Sequence, residues 1–328
     1  MKTYLLRRLG YTLVLLAAIS AFSFFLIELP PGDYLTSRIA AIRETRGSEV
    51  DPAEVEALKR QYGLDRPIFV RYLQWTTNML TGDFGRSFAY DIPVATMIWE
   101  RIPITVFTSF LTLFVTYAVG IPIALYAATR QYSVGDYFFT VFGFVGLAMP
   151  TFFLALMLMY YINRYTGFSV GGLYSPEYVN QPMSLAKFVD MLKHIAVLVI
   201  AVGLSGTASI IRILRSGILD ELQKQYVVAA RSKGLSERTL LLKYPVRVAL
   251  NPIISTIGWL LPSIVSGATV TAIVMGIPTI GLLLYESLLA QDTYVAAACI
   301  MILSFLTVIG MFISDLLLVW VDPRIRLT

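Results

Sequence analysis

The sequence predicts an all-α membrane protein with six transmembrane helices. Of its 328 residues, 57% are hydrophobic and 14% are charged, whereas a typical soluble domain has about 25% charged residues. Several apolar runs reach the ~20 residues that a helix needs to cross a bilayer core. Basic residues flank these runs in the pattern that orients helices in a membrane, so we expect both termini in the cytoplasm.

The apolar runs predict the following spans, in chain order: 9–29, 102–128, 137–162, 193–215, 252–277 and 295–320. The first run is longer than the core of a signal peptide, which has about 7–15 apolar residues. We therefore interpret it as an uncleaved span. Lys2, Arg7 and Arg8 place the N-terminus inside, and alternation then places Arg130 and Arg324 inside as well.

One segment between the first and second spans, residues 30–101, has the character of a small soluble insertion. Asp51 and Pro52 suit the N-cap and first position of a helix, and Gly63 suits its end. A second amphipathic stretch follows, where Trp75 suits the membrane–water boundary. We expect an external helical insertion that either contacts an external partner or packs on the spans as a lid. The predicted organisation is an N-terminal span (1–29), this insertion (30–101) and a core domain (102–328).

Proline and glycine interrupt several of the predicted spans. The interruptions are Gly120-Ile-Pro122, Gly146 to Pro150, Pro252, Pro262 and Gly276-Ile-Pro278. Such breaks are tolerated where neighbouring helices or water satisfy the freed backbone groups. They either mark hinges around a pathway or are ordinary features of membrane helices.

A basic loop, residues 216–250, separates the fourth and fifth predicted spans. The basic residues in or beside it are Arg212, Arg215, Lys224, Arg231, Lys233, Arg238, Lys243 and Arg247. The acidic residues are only Asp220, Glu221 and Glu237. This excess of positive charge between two apolar runs places the loop in the cytoplasm.

The basic loop has the pattern of a rigid helix–turn–helix. Four residues share one face of its first helix by their spacing: Tyr226, Ala229, Ala230 and Lys233. Gly234 suits the left-handed end of that helix, and Ser236 can cap the next one. Leu235 and Leu240 have hydrophobic-staple spacing, and Pro245 limits the second helix. Such a structure either docks on a partner subunit or lies on anionic lipid headgroups.

Several short motifs resemble one known family in their order along the chain. The sequence AARSKGL at 229–235, followed by Pro252, resembles the EAA loop of ABC-importer permeases. The usual Glu falls at Val228, and its absence is common in the peptide/nickel branch. Other motifs resemble the same branch: YLLRRL at 4–9, LPPGD at 29–33, YGLDRP at 62–67, GDFGRSF at 82–88 and DPR at 322–324. Pro278, Gly281 and Asp292 match it more weakly.

The resemblance implies that the basic loop supplies a coupling helix, which fits into a groove of an ATP-hydrolysing subunit. The implied coupling positions are Ala229, Ala230, Arg231, Lys233, Gly234 and Leu235, to which the helix–turn–helix pattern adds Tyr226 and Ser236. The resemblance also implies a second homologous permease, two ATP-binding subunits with ATP and Mg, and an external solute-binding protein. It implies a prokaryotic cytoplasmic (inner) membrane location. Peptides are the leading cargo, with oligosaccharides, opines or nickel as alternatives.

The sequence carries none of the common catalytic or nucleotide-binding motifs. It lacks the P-loop G-x-x-x-x-G-K-[ST], the H-E-x-x-H zinc motif and the G-x-S-x-G elbow. His194 is the only histidine and Cys299 the only cysteine. We expect His194 at the outer boundary of its span and Cys299 as a packing residue. The chain is therefore expected to bind no cofactor and to leave ATP hydrolysis to partner subunits.

Polar residues inside the predicted spans are few. Asp315 is expected to form a structural ion pair with Arg212, Arg215 or Arg324 rather than to act in transport. The fifth span carries small polar residues that either line a pathway or mediate helix packing: Ser255, Thr256, Ser263, Ser266 and Thr269. An intramembrane enzyme would need converging ionisable groups, and a self-sufficient secondary carrier would need a carboxylate at mid-membrane. The sequence favours neither.

Overall fold

The computed structural model describes residues 2–28, 56 and 65–321. In these ranges the chain is mostly helical and forms no strand beyond one isolated bridge between Arg86 and Pro93. The helices are α1 (Lys2–Glu28), α2 (Ile68–Leu80), α3 (Val94–Thr129), α4 (Val134–Ala148), α5 (Thr151–Thr166), α6 (Leu185–Leu222), α7 (Gln225–Ser232), α8 (Glu237–Lys243), α9 (Pro245–Met275), α10 (Ile280–Leu289) and α11 (Thr293–Val321). The helical fold class is confirmed, as hydrocarbon requires of a backbone that must satisfy its own hydrogen bonds.

Among the residues that the structure describes, three helical segments are long and apolar enough to cross a membrane: Val94–Thr129, Leu185–Leu222 and Thr293–Leu317. Two bent pairs, α4 with α5 and Ser263–Met275 with α10, raise the number to five if each pair is one span. The apolar part of α1, Gly10–Phe25, is shorter. The count of six spans and the cytoplasmic location of both termini stay predictions.

The third predicted span, 137–162, is not one continuous helix. α4 ends at Ala148, α5 begins at Thr151, and the two are bent by 107°. Pro150 precedes α5 with an extended backbone, and Met149 before it is extended as well. A proline disfavours the helical conformation in the residue before it, so the predicted interruption at this point is a sharp corner.

The segment 278–294, which connects the fifth and sixth predicted spans, is largely the helix α10. The Thr279 side chain accepts a hydrogen bond from the Leu282 N–H (3.3 Å) and so caps the start of α10. Asp292 does the same for α11, where its Oδ1 lies 3.4 Å from the Val295 nitrogen. Only residues 276–279 connect α9 to α10, and only residues 290–292 connect α10 to α11.

The chain divides into two compact units, Met1–Ile104 with Thr279–Leu306 and Thr105–Pro278 with Thr307–Thr328. In the first unit a buried cluster includes Phe24, Trp75 and Cys299. Cys299 is fully buried there, in agreement with its predicted packing role.

In the second unit, α6 is the helix that contacts the others most widely. It packs against α4, α5 and α9, and 67% of its apolar stretch is buried. Its N-terminal end follows an irregular segment, residues 167–184, and its C-terminal end leads into the basic loop. α6 therefore supports both connections.

Some predicted features lie outside the described residues. They are the helix start at Asp51, the helix end at Gly63, the LPPGD and DPR motifs, the first half of YGLDRP, and Arg324.

Candidate functional site

The basic loop forms the helix–turn–helix that its sequence predicts, with α7 and α8 as the two helices. The flanking helices continue further into the loop than the expected span ends at 215 and 252. α6 ends at Leu222 and α9 begins at Pro245, so the connecting residues are 223–244. Pro245 takes the first helical position of α9, where a missing N–H breaks no hydrogen bond.

Gly234 sets the turn between α7 and α8. Its φ is +79°, in the left-handed region that favours glycine. Its N–H donates to the Arg231 carbonyl oxygen at 3.0 Å, which closes the end of α7. Ser236 occupies the N-cap position of α8, but its hydroxyl donates to Thr239 Oγ1 (2.9 Å) and makes no capping bond to the backbone.

A small apolar cluster fixes the angle between the two helices. Val227, Ala230 and Leu240 are buried, and they are surrounded by Leu222, Leu235 and Tyr244. The predicted staple of Leu235 and Leu240 is therefore present. Leu240 is fully buried, so this cluster packs α7 and α8 against each other as one body.

The predicted coupling residues divide between the two sides of this body. Those exposed on it are Tyr226, Ala229, Arg231, Lys233, Gly234 and Ser236. Leu235 is half-buried, and Ala230 is only 6% exposed. Ala229 thus presents a small side chain to the outside, whereas Ala230 lets α7 approach α8 closely.

Two polar contacts lie on the exposed side of the helix–turn–helix. Arg231 donates from Nε and Nη2 to the Glu237 carboxylate at 2.7 and 3.2 Å. The hydrogen bond from Arg231 lowers the pKa of Glu237. The Tyr226 hydroxyl donates to Glu221. Partial burial and this bond together raise the pKa of Tyr226 to about 12, so the phenol stays protonated at neutral pH.

A bidentate ion pair ties the C-terminal part of α6 to α4. Arg215 donates from Nε and Nη2 to the two oxygens of Asp136, both at 2.8 Å. Asp136 is 3% exposed and also accepts the Tyr132 N–H at 3.0 Å. Sequence reasoning named Arg215 but missed Asp136. The available signal was Ser133, three residues earlier, whose hydroxyl oxygen caps α4 by accepting the Asp136 N–H.

His194 lies within α6 and its side chain is fully buried, while its predicted position at the outer boundary of the span stays a prediction. Its Nδ1 lies 3.1 Å from the Gly172 carbonyl oxygen and its Nε2 lies 3.3 Å from Ser175 Oγ. Asp190 accepts both the N–H and the hydroxyl of Ser175 at 2.7 Å. In a catalytic triad the carboxylate would bind Nδ1 of the histidine, whereas here Nδ1 faces the Gly172 carbonyl. These hydrogen bonds join Gly172 and Ser175 to two side chains of α6, so they hold the segment 167–184 on that helix.

The small polar residues of α9 are partly buried and partly exposed. Thr256 is 5% exposed, and its hydroxyl lies 2.7 Å from that of Tyr117 on α3. Thr269 is half-buried, and its hydroxyl donates to the Val265 carbonyl. The exposed members share one helical face: Ser255, Ser263 and Ser266. Helix packing and an exposed weakly polar face therefore occur in the same helix.

No group of three or more His, Cys, Asp or Glu side chains that could hold a metal ion occurs within residues 2–28, 56 and 65–321.

Comparison with known proteins places the whole chain in one family. Residues 120–327 match the family described as "Binding-protein-dependent transport system inner membrane component", and residues 1–110 match its N-terminal companion family. The oligopeptide transport system permease protein AppB of Bacillus subtilis is 32% identical over 99% of this chain and 100% of its own length. The dipeptide transport system permease protein DppB of Lactococcus lactis is 27% identical over the full length of both chains. The nickel import system permease protein NikB of Staphylococcus aureus is 29% identical over 98% of this chain and 92% of its own.

The fold is also similar to that of a solved transporter chain. A chain of the MetNI methionine ABC transporter, in an inward-facing conformation, aligns with a TM-score of 0.53 and 14% identity. The alignment covers 69% of this chain and 96% of that chain. The two family matches and the full-length relatives establish that this chain belongs to the inner membrane components of binding-protein-dependent transport systems, as a permease component of an ABC importer.

Proposed function

We propose that this permease forms one half of the translocation pathway of an importer for peptides. An external binding protein delivers the cargo, which passes between this chain and a second homologous permease. Two separate subunits that bind ATP and Mg drive the cycle. The oligopeptide and dipeptide permeases among the relatives support peptides as cargo. The nickel permease keeps nickel as the alternative cargo, and the sequence leaves oligosaccharides and opines open.

The observation that carries the proposal is the helix–turn–helix, residues 225–243. It has its own buried cluster and a separate exposed side, which is the construction of a docking element. We propose that its exposed residues contact an ATP-binding subunit: Tyr226, Ala229, Arg231, Lys233, Gly234 and Ser236. In this proposal Ala230 and Leu235 act indirectly, because they hold the shape of the element.

The attachment of the helix–turn–helix explains how a movement there would reach the spans. α7 follows α6 after two residues, and α8 is separated from α9 by Tyr244 alone. Such short connections transmit a displacement instead of absorbing it. The pair Arg215–Asp136 then couples α6 to α4. We infer that closure of the ATP-binding subunits tilts α6, α9 and α4 together.

The exposed face of α9 is our candidate for the lining of the pathway. Ser255, Ser263 and Ser266 give it weak polarity, and residues 248–285 contain no Asp, Glu, Lys or Arg. A lining of this kind has no fixed charge that would repel or select charged side chains, which suits a cargo of variable sequence. Thr256 and Thr269, named with these serines from the sequence, lie deeper and are proposed to position the helix.

Docking is tested by changing the exposed Ala229 rather than the buried Ala230. Ala229→Glu should abolish ATP-driven uptake and co-purification of the ATP-binding subunits, because a long charged side chain would stand between the two surfaces. Ala229→Ser is the matched control and should retain both. Thermal unfolding of both variants should equal that of the unmodified protein. Normal uptake and co-purification in Ala229→Glu would refute docking through this face.

The cargo is tested separately, with the cognate external binding protein. Its bound solute, identified by mass spectrometry after purification from cells, should be a peptide. Uptake of that labelled peptide into vesicles should require this permease. A binding protein that holds nickel or a sugar would overturn the peptide assignment and leave the docking proposal untouched.

A further inference from the structure

A cleft lies beside the helix–turn–helix, between the C-terminal end of α3 and α8. Its volume is about 780 Å³, and all its lining residues belong to the second unit. Part of its lining is apolar and includes Pro122, Leu125, Leu222, Leu241 and Leu242. Of the proposed docking residues only Arg231 lines this cleft, so docking leaves most of the cleft unexplained.

The charged part of the lining is strongly basic. It is lined by Arg130, Arg231 and Arg238, against the single acidic residue Glu237. Glu237 is bound by Arg231. The Arg130 guanidinium stacks on the Tyr126 ring at 5.2 Å, a contact that leaves its charge uncompensated. Neither Arg130 nor Arg238 forms an ion pair with the described part of the chain. Two guanidinium charges are therefore available at the cleft.

The position of the cleft along α3 indicates what it binds. α3 is one of the helices that can cross the membrane, and it ends at Thr129, directly before Arg130. The whole of α3 is longer than a bilayer core, but its predicted apolar span, 102–128, ends just before Arg130, so we place Arg130 where hydrocarbon gives way to headgroups. At that depth a lipid places its acyl chain against apolar side chains and its phosphate against guanidinium groups.

We propose that this cleft binds an anionic phospholipid. The apolar lining residues hold the first part of an acyl chain, and Arg130 and Arg238 hold the phosphate. Arginine suits this role because its planar donors match phosphate oxygens. A free phosphate ion would gain no binding energy from the apolar lining residues. The bound lipid would contact α8 and the end of α3 together, so it would steady the helix–turn–helix from its membrane side.

The test is native mass spectrometry of the full-length permease, purified with phosphatidylglycerol or phosphatidylcholine. The protein should retain phosphatidylglycerol roughly thirtyfold better, because each of the two basic side chains near a lipid surface contributes about 1 kcal/mol. The double variant Arg130→Gln, Arg238→Gln should lose this preference. The charge-conserving pair Arg130→Lys, Arg238→Lys should keep most of it. Arg164→Gln, which removes an exposed arginine at the end of α5, should leave it unchanged.

Three outcomes would overturn the proposal. In the first, the glutamine pair retains phosphatidylglycerol as well as the unmodified protein does. In the second, millimolar inorganic phosphate displaces the lipid, which would identify a simple anion site. In the third, the fully assembled importer carries no lipid that depends on Arg130 and Arg238, which would mean that a protein segment fills the cleft. Each variant should elute from a size-exclusion column as a single symmetric peak, which shows that it has not misfolded.

Discussion

The two connections at the ends of α6 are held by opposite kinds of contact. At its N-terminal end, the irregular segment 167–184 is held by buried polar groups. At its C-terminal end, the helix–turn–helix is held by three buried apolar side chains and an exposed ion pair. The difference shows which connection is built as a fixed part of the fold and which is built as a separate body.

The segment 167–184 depends on side chains because it has no helical hydrogen bonds of its own. Lys187 is 7% exposed and donates to the carbonyls of Gln181 and Val179 at 2.6 and 3.3 Å. Asp190 accepts from Ser175, and the Gly172 N–H donates to the Met275 carbonyl at 2.7 Å. Buried backbone groups must be paired, so moving this segment would break several hydrogen bonds at once.

The helix–turn–helix makes most of its backbone hydrogen bonds within α7 and α8. Its only buried contacts are apolar, and apolar contacts are not directional. It can therefore shift with α6 and α9 as one piece while its internal cluster stays intact. This difference gives predictions that range from global stability down to a weak pH effect.

The largest expected effect is that of Asp190→Ala. It removes the acceptor of the half-buried Ser175 N–H and hydroxyl, and leaves only His194 Nε2 near that hydroxyl. We expect a loss of about 3 kcal/mol in the free energy of unfolding, seen as a lower Tm in detergent. Glu177→Ala is the control, since that carboxylate is exposed in the same segment. Equal Tm values for the two variants would mean that the network does not hold the segment.

Leu240→Ala should act locally instead. The change opens the cluster under α7 and should cost the helix–turn–helix about 2–3 kcal/mol. Hydrogen exchange of residues 225–243 should quicken and uptake should fall, while the Tm of the whole chain changes little. Val228→Ala, at a side chain that is 52% exposed on α7, should leave exchange unchanged. A global loss of Tm in Leu240→Ala would show that the two connections are not energetically distinct.

Gly234→Ala should have a smaller effect of the same kind. A side chain at φ +79° costs roughly 1 kcal/mol, although no neighbouring atom lies within 4 Å of the added Cβ. Hydrogen exchange should become faster mainly at the turn. Ser236→Ala should do less than a typical cap removal, because its hydroxyl does not bind the backbone. If Ser236→Ala proves the more damaging of the two, the capping account of the turn is wrong.

The smallest expected effect concerns pH. The pKa of Glu237 is lowered in the folded protein, so the unfolded loop binds more protons at acidic pH. The contribution of the pair Arg231–Glu237 is therefore present above the usual pKa range of glutamate and is lost as the pH falls through the lowered value. Both side chains are well exposed, so the effect is weak. Exchange at residues 231–237, corrected for intrinsic rates, should become slightly faster on acidification, and Glu237→Gln should remove that dependence.

The sequence alone determined the features that depend on neighbours along the chain. The turn at Gly234, the staple of Leu235 and Leu240, and the helix start at Pro245 all arise within about a dozen residues. Backbone preference and hydrophobic spacing are local properties, so they can be recognised without knowledge of the fold. The motifs along the chain also indicated the family correctly.

Only the tertiary structure decided which side chains are buried and how distant residues pair. It placed Ala230 inside and Ala229 outside, joined Arg215 to Asp136 across 79 positions, and buried His194 against Gly172 and Ser175. It also turned the interruption before Pro150 into a 107° corner. Burial and pairing depend on which helices meet in space, and no pattern within one helix contains that information.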